Sequence, residues 1–413
     1  MEYFCKAAPE DMAELIDFLN MVFSQSSHPH DFKAMLPKLY GDDADTARYH
    51  YIVKEEGRIK AVVGVFPTEY HIGDTLVKVG QLGSVSVHPY ARGKNYMKRL
   101  MDWAIEDSQA QGYDALVLGG LKNRYQHFGF QPTEIELNYK FIPENIRHQL
   151  KDVRPDHIVF KSVKDASDED IEKVFRLCGS QRVYVERGDR EHFFKVLESW
   201  YMETWIVEID DEFSGYLCAS ADGTWIREWL MTSQEAYMPV LKRHFEMKCP
   251  EAVSISCAAY EREKNEIFGR YSEHCTVESG HQWRIFNFEK ILSAMMKVKN
   301  SYMPLEEGRL EIRIHNGSDE TLCKLKWGNP SDEKTEFMDI SLLEAEEAFF
   351  SEAGIYRNYG RKAGYLYKNW FPLPLYTNEL DACYGGIINE NCRIYRYWDY
   401  GTGYGKKFVK SRL

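Results

Sequence analysis

Residues 87–100 read Val87-His88-Pro89-Tyr90-Ala91-Arg92-Gly93-Lys94-Asn95-Tyr96-Met97-Lys98-Arg99-Leu100, and the reading of the rest of the chain turns on them. A β-branched run beginning at Leu76 ends at Val87. Pro89 stops it, since proline has no N–H for a strand ladder. A basic turn with one glycine follows. Then Met97, Leu100, Met101, Ala104 and Ile105 recur at helical spacing. A strand that turns into a helix in this way places unpaired backbone N–H groups, and the positive end of the helix dipole, beside Arg92, Lys94 and Lys98. That arrangement suits a pyrophosphate. It equally suits a surface loop carrying cations, and the motif alone does not choose between them.

The neighbouring order narrows the choice. Upstream, residues 3–6 read as a strand. Pro9 opens a helix carrying Met12, Leu15, Ile16, Leu19 and Phe23, and strands follow at 49–53, 59–70 and 76–87. Gly80 and Gly83 interrupt the last of these, which predicts a bulge or a close approach by another backbone or a ligand. Downstream, Gly112 ends the helix, 115–118 is a buried strand, and Tyr125 precedes Phe128-Gly129-Phe130. The 76–87 and 115–118 strands are then parallel, joined by a right-handed helical crossover. Ligands bind at the C-terminal ends of such strands, and a gap between two of them accepts an extended arm as a pseudo-strand.

Bulk properties set the class. The chain has 413 residues, 44% hydrophobic and 28% charged, which fits a soluble globular protein of two or three domains. A formal charge of −12 disfavours nucleic acid and anionic membranes as partners and favours a cationic or amine substrate. Nine cysteines, an odd number with no C-x-x-C, argue against a disulfide framework or a zinc knuckle and for a reducing cytoplasm; no metal is expected. No signal peptide and no transmembrane run is read.

From about residue 142 the pattern restarts. Strands at 158–163, 205–207, 215–219, 225–231 and 253–257, with helices near 171–178, 192–200 and 236–246, repeat the first order and point to an internal duplication. Residues 224–245, TWIREWLMTSQEAYMPVLKRHF, occupy the place of residues 79–100. Their turn carries Gln234 and Glu235 instead of the Arg-Gly-Lys cluster, so no anion is expected there. A third region from about residue 300 holds a hairpin around Leu310, Ile312, Ile314, Leu322 and Leu325. Ser341 and Glu344 there form a capping box, and a basic, glycine-bearing tail ends the sequence.

On V-x-V-x-P-x-x-R-G-K, the following helix and Y-x-x-F-G-F, the first 135 residues resemble the acetyl-CoA-dependent GNAT N-acetyltransferases. The family's loop, R/Q-x-x-G-x-G/A, falls on Arg92 to Met97, with Asn95 where glycine is usual and Met97 where a small residue is usual. Over its whole length the chain resembles the enhanced-intracellular-survival type of acetyltransferase. The resemblance implies an α+β fold: a mixed-sheet catalytic GNAT domain (1–142), a degenerate GNAT-like domain (143–299) and a smaller α+β sterol-carrier-like domain (300–413). It also implies a trimeric or hexameric assembly.

The activity implied is direct attack of a primary amine, of an aminoglycoside, polyamine or lysine-like acceptor, on acetyl-CoA as co-substrate. Val85, Ser86, Val87, Arg92, Gly93, Lys94, Asn95, Tyr96, Met97 and Lys98 are then the cofactor-binding positions. Val85 and Val87 offer backbone N–H groups to the thioester oxygen. Tyr125 protonates the departing thiolate, since a phenol of pKa about 10 keeps its proton at neutral pH. The family's base is the C-terminal carboxylate, here Leu413; Glu69, His71, His88 and His127 are nearer in sequence. Phe23 and Asp31 fall where the family binds its amine, although a core Phe and a helix-capping Asp account for them equally. A protein that keeps the fold as a non-catalytic acyl-CoA sensor is the alternative.

Overall fold

A computed structural model describes residues 2–25, 29–331, 335–357, 359 and 364–383. In the first sheet, strands β1 (Glu2–Lys6), β2 (His50–Glu55), β3 (Arg58–Ile72), β4 (Thr75–Val87) and β5 (Ala115–Leu118) lie side by side in that order. The first three pairings are antiparallel, and β4 runs parallel to β5. The helix Tyr96–Ala110 is the crossover between them and buries Leu100, Met101, Ala104 and Ile105, the stripe that its sequence spacing predicts.

The second sheet, of 7 strands, contains Ile158–Ser162, Met202–Ile209, Glu212–Ser220, Trp225–Met231 and Val253–Ala258. Trp225–Met231 and Val253–Ala258 are again parallel, joined by the helix Tyr237–Lys248. The sheets exchange strands. Glu136–Phe141 pairs with Val253–Ala258 in the second sheet, while Gln282–Ile285 pairs with β5 in the first. Sheet membership therefore does not follow chain order: the chain leaves the first sheet after Gln131–Pro132, touches it again where Val183–Val185 pairs with β3, and returns to it at Gln282. Alternating apolar strands fit either sheet, so sequence pattern could not assign them.

In the third region Gly308–Asn316 and Asp319–Trp327 form the predicted hairpin, and Thr335–Ser341 pairs parallel to the first of them. The capping box forms: the Ser341 N–H donates to Glu344 at 3.1 Å. This sheet and the helices Phe288–Asn300 and Leu342–Phe350 share one hydrophobic core with the first sheet. Among the described residues no helix is long and apolar enough to cross a membrane.

Candidate active site

The two parallel strands at the centre of the first sheet part company. β4 and β5 are paired at Val79–Ala115, Gly80–Leu116 and Gln81–Val117 and no further, although β4 continues to Val87. Gly80 is the tight point before the opening, because a side chain there would start 2.5 Å from Leu116 and 2.8 Å from Val65. On its other side β4 stays paired with β3, with one interruption. Gly64 faces Gly83 and Val62 faces Ser86, so Ser84 and Val85 stand opposite the single residue Val63. This is the β-bulge that the interior glycines predict. Ser84 takes φ +58°, a left-handed conformation uncommon for a residue with a side chain.

The bulge is held from behind. His50 is fully buried, which pushes its pKa down to about 4 despite hydrogen bonds to the Thr46 and Ala47 carbonyls. The imidazole is therefore neutral. Its Nδ1 lies 3.0 Å from the Thr46 oxygen and carries the proton, leaving Nε2 to accept the Tyr40 hydroxyl at 3.1 Å. The Tyr40 oxygen in turn accepts from the Ser84 hydroxyl at 2.5 Å. Ser86, predicted as a cofactor contact, donates its hydroxyl to the Ser84 carbonyl at 3.0 Å and so braces the same bulge.

Beyond β4 the chain forms a single turn at Pro89–Ala91 and then the stretch Arg92 to Asn95, all exposed. Gly93 has φ +83° and Asn95 φ +60°, so asparagine adopts the left-handed conformation at a position where the family favours glycine. Asn95 is the N-cap of the Tyr96 helix but makes no side-chain cap, and the first helical amides stay available. Arg92 has no ion pair among the described residues. Lys94 is paired with Glu55 at 2.6 Å and Lys98 with Asp102 at 2.5 Å, both at the surface. The rings of Tyr96 and Phe4 meet edge to face at 5.9 Å, and Met97 packs on the same core, so these two offer backbone only.

Tyr125 ends the short helix Lys122–Tyr125, past the C-terminal end of β5, and is 5% exposed. Burial pushes its phenol pKa up, so the group holds its proton at neutral pH. The turn behind it is fixed by Gly129 at φ +83° and by Arg284, from the returning strand Gln282–Ile285, whose guanidinium donates to the Phe128 carbonyl.

The segment 377–383 comes back to the opening. A side chain at Gly83 would start 3.0 Å from the Cys383 carbonyl oxygen, so the second interior glycine admits another backbone. Lys38, buried, anchors this segment by donating to the carbonyls of Leu380 and Ala382, the latter at 2.7 Å. Burial pushes the Lys38 pKa down to about 8. Beside it lies a cleft of about 390 Å³, lined by Lys38, Asp43, Phe66, Glu186, Asp189 and Cys383 among others. Phe23 and Asp31 do not line this cleft. Phe23 packs on Phe32 and His30, and Asp31 caps the helix Phe32–Met35 by accepting the N–H groups of Lys33 and Ala34. Leu413 lies outside the described residues. Sequence reasoning missed Lys38, Tyr40 and His50. A lone lysine inside the apolar run Leu36-Pro37-Lys38-Leu39-Tyr40 was the available signal.

The second sheet repeats the opening. Trp225–Met231 and Val253–Ala258 are paired only at Trp225–Ser254 and Ile226–Ile255. Its turn, Gln234–Ala236, has no cation, as the sequence indicates, and Glu235 is bonded to the Ser233 hydroxyl.

Residues 4–133 match the Acetyltransferase (GNAT) domain family. Solved structures similar to the chain include a GCN5-related N-acetyltransferase from Kribbella flavida (14% identity, 93% of this chain and 99% of that one, TM-score 0.63). Another is a GCN5-related N-acetyltransferase from Anabaena variabilis (12%, 92% and 98%, 0.62). A third is Eis1 from Mycobacterium abscessus (10%, 93% and 99%, 0.60). At these identities the likeness establishes the fold. No curated protein matches the chain.

Proposed function

Because residues 4–133 form a GNAT acetyltransferase domain, we propose that the chain is an N-acetyltransferase that moves an acetyl group from acetyl-CoA to a primary amine, of an aminoglycoside, a polyamine or a lysine-like acceptor. The observation that carries this reading is the opening between β4 and β5, with the Ser84–Val85 bulge on its wall and the Arg92–Asn95 turn at its end. The opening accepts an extended arm, and the amides of the Tyr96 helix with Arg92 accept a pyrophosphate.

Bound acetyl-CoA supplies an activated acetyl thioester. The chain supplies the rest. The Val85 N–H, turned out of the ladder by the bulge, is offered where the carbonyl oxygen gains charge, with the Val87 N–H further along the same strand. Tyr125 holds the proton that the departing thiolate takes. Glu186 and Asp189 draw an ammonium group to the cleft, where Asp43 is already paired with Lys195, and we assign this role to them alongside the expectation for Asp31. An ammonium has no free electron pair, so a base must remove its proton; Leu413 is the family's candidate for that role. The finer organisation belongs to the same proposal: a second GNAT-like unit that does not bind coenzyme, a sterol-carrier-like third unit, a cytoplasmic location and a trimeric or hexameric assembly. The eight described cysteines are unpaired, which accords with a reducing compartment.

Incubation with acetyl-CoA and a panel of polyamines and aminoglycosides, followed by thiol release, tests the activity. Turnover with at least one amine is expected, and Tyr125→Phe should lower kcat about 100-fold with the affinity for CoA retained. CoA binding without thiol release from any amine would instead support the sensor.

A further inference from the structure

The turn that carries Tyr125 is closed by parts of the chain far from it in sequence. The single turn Gln126–Phe128 stops at Gly129, whose φ of +83° ends the helical run, so the Phe128 carbonyl has no next turn to bond it. Arg284 supplies the donor. Its guanidinium bonds that carbonyl from the strand Gln282–Ile285, 156 residues further along the chain. Glycine is required at 129 on two counts. The backbone is left-handed there, and a side chain would start 3.1 Å from the Arg284 Cζ and 3.2 Å from the Leu342 Cδ2. Tyr125 is tied into the same turn, since its carbonyl accepts the Phe130 N–H at 3.4 Å and its ring meets Phe130 edge to face at 6.5 Å. A shift of Phe128 to Phe130 therefore moves the phenol.

Arg284 is in turn held by the third region. Its strand has Gln131–Pro132 beside it only as far as Trp283. Beyond that point Glu346 takes the place of a neighbouring strand. It is fully buried on the helix Leu342–Phe350, and its Oε1 accepts the Ile285 N–H at 2.9 Å, satisfying a buried backbone donor. Burial pulls the Arg284 pKa down and Glu346 opposes that pull, so the carboxyl is within electrostatic reach of the guanidinium. Two paths thus run from one helix to the turn: Leu342 lies against Gly129 directly, and Glu346 acts through Ile285 and Arg284.

We propose that Arg284 is a positioning residue for Tyr125, and that the helix Leu342–Phe350 of the third region sets where it stands. Residues 4–133 then do not complete their own acid; side chains from beyond residue 280 finish it. The effect of Arg284 on turnover rests on the acid role given to Tyr125, whereas its effect on the place of the ring does not.

A fluorinated tyrosine is introduced at position 125 of the full chain, and its fluorine resonance is recorded beside steady-state thiol release. Arg284→Met should shift the resonance and lower kcat about tenfold with KM for acetyl-CoA little changed, a loss for which a misplacement of about 1 Å suffices. Arg284→Lys keeps a cation able to donate to Phe128 and should fall between wild type and Arg284→Met. Should Arg284→Met fail to fold, Leu342→Ala removes only the apolar contact with the turn and should give the same pair of changes, smaller. Leu241→Ala, in the separate core of the second sheet, controls for general loosening and should leave the resonance in place. A resonance unmoved in the Arg284 and Leu342 variants, or moved as far in Leu241→Ala, would overturn the proposal. A resonance that moves in a chain that acetylates no amine would uphold the positioning and remove the acid role from Tyr125.

Discussion

Two sheets in one chain open in the same way and are finished differently. In each, two parallel strands pair for a few residues and then separate ahead of a helix. The first opening carries a bulge, two interior glycines and an exposed basic turn. The second has a turn without cations, and charges buried along its strand: Arg227 and Glu228. The geometry of separation is thus a property of the fold, whereas the chemistry lies in the few residues placed on its walls. The segment 376–383 links the two, since Asp381 pairs with Arg187 at the second opening and Cys383 lies against Gly83 at the first.

Breaking that link should have the largest effect. Arg187 is fully enclosed between Glu228 and Asp381, with side chains 4%, 9% and 4% exposed. Arg187→Met leaves two buried carboxylates without their cation and should cost about 3–5 kcal/mol in denaturant unfolding. A loss under about 1 kcal/mol would mean that the two openings are energetically independent.

The anchor at the first opening has a pH signature. Burial holds the Lys38 pKa at about 8 in the folded chain, against an ordinary value of 10.5. Between those values the unfolded chain binds more protons, so the stability contribution rises with pH and is lost below about 8. The rise should amount to about 3 kcal/mol across that window. Wild type compared with Lys38→Met isolates it, because Lys299, likewise pushed down to about 8 by burial, contributes equally to both chains. Parallel pH profiles would remove Lys38 from the linkage.

The smallest expected effect concerns the bulge, which the second opening lacks in this form. Tyr40→Phe takes away the partner that holds Ser84 at positive φ, and should lower kcat about tenfold with KM for acetyl-CoA little changed. Adding Ser84→Gly should recover most of the loss, since glycine adopts that backbone without a brace. Failure of the second change to rescue the first would place Tyr40 elsewhere in the mechanism.

Much of the first opening was legible in the sequence. The run from Gly80 to Leu100 gave the bulge, the parallel pairing and the helix start, because glycine, proline and helical spacing act locally. Contacts made across long stretches of chain were not legible. Nothing near Lys38 indicates that it will hold the carbonyls of Leu380 and Ala382, and the exchange of Glu136–Phe141 for Gln282–Ile285 leaves no mark on either strand's pattern. Asp31 had two readings from sequence, and the structure shows the capping one, with the N–H groups of Lys33 and Ala34 donating to its carboxylate. One signal was present and passed over. Strands of a parallel pair buried on both faces are near-continuously apolar, so the adjacent Arg227 and Glu228 stood out as an exception.

Calorimetric titration of the full chain with CoA at moderate ionic strength tests the difference between the openings most directly. One equivalent should bind per chain, with the dissociation constant raised about tenfold by Arg92→Ala. Two equivalents, no saturable heat, or an affinity indifferent to Arg92 would contradict the assignment of the coenzyme to the first opening alone.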